Sequence, residues 1–348
     1  MLINEFTDGC RVDEQFLIVD SKKGVTSSGG GYMNVTLQDC TGTIEAKKWD
    51  YAPGDEEILA KGLIVAISGT VNKYKTQLQL KIVKVTSVPQ EGIDWTRFVS
   101  SAPVSLETMK EKLRLYVESI VDPDIKALVE AMVKRFGEKY LTYPAAVRNH
   151  HDYVSGLLYH SLTMADMAAK MCEVYPSLNR DVVIGGVIVH DMGKTIELSG
   201  ANATQFTLEG KLLGHISIGQ AELRRCAKEL GMYEFDDLPL EQQTITHPLF
   251  RKKEIAVVFE HIILSHHSKP EFGSPVMPLT REAFVIGVID DLDAKMMILD
   301  KAYKGVEKGG TTAKLFNMDD RYFYLPTFSN PPYVAGTSVE EEMDDLKK

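Results

Sequence analysis

Two patterns of apolar positions divide the chain. From about residue 13 to residue 88 they alternate. The run EQFLIVDSK sets Phe16 and Ile18 against Leu17 and Val19, and SSGGG then marks a turn. YMNVTLQD puts Met33, Val35 and Leu37 on one face and Tyr32, Asn34, Thr36 and Gln38 on the other. The turn Asp39-Cys40-Thr41-Gly42 leads into TIEAKKW. After a predicted helical turn near Asp55–Ala60 come LIVAISGTV and TQLQLKIVKV. Five strands so close together predict a small closed β-barrel. From Leu106 onward the period becomes helical, as in ETMKEKLRLYVESI and DIKALVEAMVKRFGEKY, and stays so to about residue 305.

Breaks in these patterns predict the organisation. Pro89, Gly92 and Pro103 read as a linker, and Pro270, Pro275 and Pro278 as one long irregular loop. LPTFSNPPYVAGTSVEEEMDDLKK, with prolines, few core residues and an acid run, reads as extended or mobile. The expected fold class is multi-domain: an all-β barrel over 1–90, a linker and leading helices over 91–145, an all-α domain over 146–310, and a C-terminal extended segment with an acidic tail over 311–348.

Composition narrows the classes. A length of 348 residues favours two domains over one, and 44% hydrophobic with 25% charged residues is ordinary for a soluble globular protein. No apolar run reaches the length of a membrane span, and MLINEFTDGC has no secretion pattern. Cys10, Cys40, Cys172 and Cys226 are scattered and form no CxxC pair, which reads as reduced thiols in a cytoplasmic protein. A net charge of −10 argues against strong non-specific binding to duplex DNA. It leaves room for a local basic groove, because residues 1–100 are nearly balanced in charge.

The residues that carry chemistry lie in the helical half. His190-Asp191 follows the apolar run VVIGGVIV and continues as Met192-Gly193-Lys194. An imidazole and a carboxylate delivered side by side suit a transition metal, and the carboxylate can bridge two. Upstream stands His160 in SGLLYHSLTMA. Downstream stand His215 in LLGHISIG, His261, His266 and His267 in HIILSHHSKPEFGSP, and Asp290, Asp291 and Asp293 in VIDDLDAKM. Histidines on the apolar faces of successive helices would be buried at a cost that metal ligation offsets. Lys194, one turn beyond His190, can neutralise a substrate phosphate. His150 and His151 precede the His160 helix and are candidates for substrate contact or for capping. His261 reads as structural, and His247 carries no assignment.

The order His, His-Asp, His, His, Asp on successive helices resembles the HD superfamily of metal-dependent phosphohydrolases over about residues 145–305. The strand order, the Asp-x-Thr-Gly turn and the tryptophan after strand three resemble the OB-fold. On that fold the face of strands two and three binds single-stranded nucleic acid. Here it would offer Tyr32, Asn34, Lys47 and Trp49, with Lys73, Tyr74 and Lys75 after strand four; Trp49 could equally plug the barrel end. Together with NHHDYVSGLLYH, HDMGKTIELSG, TLEGKLLGHISIG, LSHHSKPEFGSP and DDLDAKM, the chain resembles the YhaM-type 3′→5′ exoribonucleases over about residues 10–328.

The resemblance implies hydrolysis of single-stranded RNA from the 3′ end, with single-stranded DNA left open as a substrate. It implies two divalent metal ions, Mn²⁺ first, with Fe²⁺, Co²⁺ or Mg²⁺ as alternatives; imidazole-rich ligation favours Mn²⁺, Fe²⁺ or Co²⁺ over Mg²⁺, which prefers oxygen ligands. His160, His190, Asp191 and Asp290 would hold the first ion, and His215, His266 and His267 the second, with Asp191 bridging. It also implies a homo-oligomer. Two other readings stay open at this point. One is an HD-superfamily nucleotide phosphohydrolase or phosphodiesterase; the other is a non-catalytic single-stranded nucleic-acid-binding protein.

Overall fold

The computed structural model describes residues 1–330 apart from 27–28, 50–51, 53, 76, 92, 94–96, 100–101, 147–152 and 201–203. The chain divides into one unit over Met1–Ser101 and a second that begins at Ala102.

Alternation in the first unit becomes a closed barrel of β1 (Arg11–Val25), β2 (Gly31–Asp39), β3 (Gly42–Trp49), β4 (Ile64–Tyr74) and β5 (Gln77–Ser87). Its order is β1-β2-β3-β5-β4; β1 pairs with β4 to close it, and the β3–β5 pairing is parallel. Phe16 and Ile18 face the barrel core, Leu17 between them is buried too, and a register shift follows between Ile18 and Asp20. Such a bulge bends the long β1, so that its first half pairs with β4 and its second with β2. Met33, Val35 and Leu37 point into the barrel, as their spacing predicts. The buried Asp39 fixes the β2–β3 turn: Oδ1 accepts from the Thr41 amide at 2.7 Å and its hydroxyl at 2.6 Å. One short helix, α1 (Asp55–Ile58), lies between β3 and β4.

The second unit is helical, as its period predicts. It contains α2 (Leu106–Glu118), α3 (Pro123–Thr142), α4 (Gly156–Val174), α5 (Arg180–Val189), α6 (Lys194–Glu197), α7 (Leu208–Leu212), α8 (Gly214–Glu229), α9 (Pro248–Ser265) and α10 (Arg281–Tyr303). Side-chain caps start several of them. Asn179 accepts from the amides of Asp181 and Val182 at the head of α5, and Thr280 from that of Ala283 at the head of α10. The run VIGGVIV is buried on every side because α5 packs against α3, α4, α9 and α10 at once. His247, left without a role from sequence, caps α9 by accepting from the Leu249 amide at 3.2 Å. Residues 311–325 turn back on themselves through the bridges Thr311–Tyr324 and Leu315–Arg321, with Met318 and Leu325 buried. Among the described residues no helix is long and apolar enough to cross a membrane.

Candidate metal centre

A helix leaves its last carbonyls without amide partners. Two histidines use this in the same way. His190 stands just past the end of α5, and its Nδ1 donates to the Val187 carbonyl at 2.7 Å. His266 stands just past the end of α9, and its Nδ1 donates to the Ile263 carbonyl at 2.7 Å. In each ring the lone pair is thereby left on Nε2, facing away from the helix.

Three further imidazoles are oriented through Nδ1. That of His160, on α4, bonds to Asp293 Oδ2 at 2.7 Å. That of His215, at the start of α8, lies 3.2 Å from Glu197 Oε1, which also accepts from the His215 amide at 3.0 Å. That of His267 donates to the Phe272 carbonyl at 2.7 Å. Gly193 permits α8 to come this close, since a Cβ there would overlap the His215 carbonyl oxygen.

The five rings converge on Asp191, which is buried. Its two oxygens face different groups. Oδ2 lies 3.3 Å from His190 Nε2, 3.7 Å from His160 Nε2 and 2.6 Å from Lys194 Nζ. Oδ1 lies 3.4 Å from His215 Nε2 and 3.5 Å from His266 Nε2. Asp290 Oδ1 approaches His160 Nε2 to 3.2 Å. Donor atoms of His160, His190 and Asp191 lie within 4.8 Å of one another, as do those of Asp191, His215, His266 and His267, and those of His190, His266 and Asp290.

This arrangement fits divalent cations. Among the described residues, Nε2 of His190, His215 and His266 and Oδ1 of Asp191 are buried without a hydrogen-bond partner. Such atoms are costly in an interior unless something electropositive satisfies them. Imidazole nitrogens with carboxylate oxygens are the donors that divalent transition cations take.

The electrostatics tend the same way. Burial alone would raise the Asp191 carboxyl, but Lys194 and the imidazoles of His190 and His266 hold it well below the usual carboxylate range. Burial likewise opposes ionisation of Asp290, and His160 foremost holds it well below that range. Burial depresses His266, and it brings His267 down to about 4, so both are neutral near pH 7. His160 goes the other way: burial opposes its charge, but Asp290 and Asp293 raise it to about 10.

All seven candidate ligands, His160, His190, Asp191, His215, His266, His267 and Asp290, thus meet in one cluster. Lys194 is buried against Asp191, while His150 and His151 lie outside the described residues. Asp291 is exposed and paired with Lys295 at 2.6 Å, on another face of α10 from the cluster. Sequence reasoning missed Glu197 as the partner of His215. Its signal was weak, an acid in KTIE three residues beyond Lys194.

On the barrel, Tyr32 and Trp49 are direct cross-strand partners with ring centroids 5.1 Å apart. Lys47 Nζ lies 5.2 Å from the Tyr32 centroid and 5.3 Å from that of Trp49. The Tyr32 ring lies across Gly24, where a Cβ would overlap it. Trp49 is 38% exposed, so it does not plug the barrel end. Lys73, Tyr74 and Lys75 are exposed at the end of β4, with Lys75 Nζ 5.8 Å from the Tyr74 centroid.

Known proteins resemble the chain in both units. The HD domain family model matches residues 157–295, and an OB-fold nucleic acid binding domain model matches residues 18–88. A third model, for a helicase, matches residues 106–177. The 3'-5' exoribonuclease YhaM of Geobacillus sp. (strain WCH70) is 39% identical over 92% of this chain and 94% of its own. That of Bacillus velezensis is 39% identical over 92% of this chain and 96% of its own. The solution structure of the second OB-fold domain of replication protein A from Methanococcus maripaludis matches at 19% identity and a TM-score of 0.21. That match covers 27% of this chain and 98% of the other.

Proposed function

The chain belongs to the YhaM 3'-5' exoribonuclease family, and from that premise we propose that it removes nucleotides from the 3′ end of single-stranded RNA at the cluster around Asp191. The observation that carries this reading is the division of Asp191, with Oδ2 toward His160 and His190 and Oδ1 toward His215 and His266. A carboxylate so divided can serve two cations at once. His160, His190, Asp191 and Asp290 would hold one, and Asp191, His215, His266 and His267 the other. Bound divalent cations supply an acidified water and neutralise phosphoryl charge. Five imidazole donors favour a transition cation such as Mn²⁺, Fe²⁺ or Co²⁺ over the oxygen-seeking Mg²⁺.

The protein's own groups prepare the site. The hydrogen bonds at each Nδ1 hold the rings in the ligating tautomer. Lys194 keeps the Asp191 carboxylate ionised and places positive charge where phosphoryl oxygens arrive. Tyr32 and Trp49 offer a stacking surface, with Lys47 beside them for phosphate, so the barrel binds single strand without reading its sequence. Single-stranded DNA offers similar base faces and phosphates and is the second candidate substrate. Lys73, Tyr74 and Lys75, exposed on the barrel, offer further contacts, and His150 and His151, which precede the His160 helix in sequence, are assigned to RNA contact.

Self-association belongs to the same reading. Phe284, Val288, Leu292 and Met296 recur every four residues along α10 and are all about half exposed. An apolar stripe of that kind marks a protein contact.

The test is a time course on 5′-labelled single-stranded RNA with Mn²⁺, with and without EDTA. A descending ladder that EDTA abolishes is the expected result. No cleavage by protein shown to contain metal overturns the reading.

A further inference from the structure

We propose that Phe272 and Lys269 form a subsite that stacks the base of the 3′-terminal nucleotide; this rests on the exonuclease reading above. The loop after α9 is pinned at two points by histidines, one two residues past the helix end and one on the helix. At the first His267 Nδ1 donates to the Phe272 carbonyl at 2.7 Å, and at the second His261 Nε2 accepts from the Leu279 amide at 2.9 Å. Within the loop, the Phe272 amide donates to the Lys269 carbonyl at 3.0 Å and the Lys269 amide to the His267 carbonyl at 2.7 Å. Ser268 adopts a φ of 65°, which a non-glycine residue keeps only where its surroundings hold it. The loop is therefore a built platform whose ordering cost is met before ligand arrives.

What the platform presents is an aromatic face. Phe272 is 60% exposed, with the Lys269 ammonium 5.7 Å from its ring centroid. Other phenylalanines are as exposed, so exposure alone assigns nothing. Position does. A single imidazole, that of His267, joins the Phe272 main chain on one edge to the donor group of Asp191, His215 and His266 on the other. A nucleotide whose phosphodiester lies at that group has its base within reach of this ring. An aromatic face beside a cation is what any nucleobase stacks on, whatever its identity. The subsite would thus seat the terminal nucleotide by its π-face and leave sequence unread.

The experiment compares two short RNAs that differ only in the 3′-terminal nucleotide, one carrying adenine and one abasic. Both are assayed on the full-length, metal-loaded protein. Wild type should favour the base-bearing RNA in kcat/KM by on the order of ten-fold, the scale of one base–aromatic stack. In Phe272→Leu this ratio should fall toward one, and in Phe272→Tyr, which keeps the π-face, it should return. Metal content is measured in each variant. The carbonyl held by His267 belongs to the main chain, so Phe272→Leu should retain its metal. If the ratio in Phe272→Leu equals that of wild type, or both RNAs slow equally, the subsite is wrong while the exonuclease reading stands. If wild type shortens neither RNA from its 3′ end, both readings fall.

Discussion

Lys194 holds its ammonium nitrogen 2.6 Å from Asp191 Oδ2, and both side chains are buried. The carboxylate that the histidines surround is thus already paired with a cation belonging to the chain. Removing one partner of a buried pair leaves the other uncompensated, at a cost of about 3–5 kcal/mol. Lys194→Met should therefore lower the melting temperature of metal-free protein markedly. Added Mn²⁺ should recover much of that loss, because a bound cation takes over compensation of Asp191. Calorimetry with and without metal checks this; equal losses in both states would mean that Asp191 does not face the metal.

The His160–Asp293 hydrogen bond predicts a different kind of effect. Asp293 lies one helical turn beyond Asp290, so α10 meets the His160 ring at Nε2 with one carboxylate and at Nδ1 with the other. Asp293→Asn keeps an acceptor but removes the charge that makes His160 a stronger ligand. Metal affinity should drop roughly 10–100-fold with the fold intact. Titration of metal into chelated protein, beside a circular dichroism spectrum, tests it.

The barrel surface should act on long substrates alone. Trp49→Ala and Tyr32→Ala should each weaken single-stranded RNA binding by about 1–3 kcal/mol. Hydrolysis of bis-p-nitrophenyl phosphate, which has no second nucleotide to hold, should stay at the wild-type rate. Fluorescence anisotropy and the chromogenic assay separate the two. Equal loss on both substrates would count against the division of labour.

Metal-free protein should be most stable near neutral pH. His267 titrates at about 4 in the fold because burial disfavours its charge, against an ordinary value of about 6.5. The unfolded chain thus binds the extra proton, and stability falls as pH drops from about 6.5 toward 4. His160 has the opposite sign. Asp290 and Asp293 outweigh burial and raise it to about 10, so its contribution is full below about 6.5 and is lost as pH rises toward 10. Thermal melts across pH in EDTA should show both limbs, and His267→Gln should flatten the acid one.

The chain's alternation of apolar residues was enough to foretell five strands and a closed barrel, and its later 3.6-residue period a helical domain. Both are local signals, set by which face of one element must leave water. The order of histidines and aspartates along successive helices likewise marked where chemistry would gather. What the linear pattern could not decide was partnership. His160 meets Asp293 across 133 residues of chain, and His215 meets Glu197 across 18. The end of the apolar run VIGVI singled out Asp290 as a ligand but left open which of Asp291 and Asp293 assists it. Packing of α10 turns Asp290 and Asp293 to the two nitrogens of His160 and leaves Asp291 outside with Lys295. Periodicity says which side of a helix is buried, but only the packed helices decide which atoms meet there.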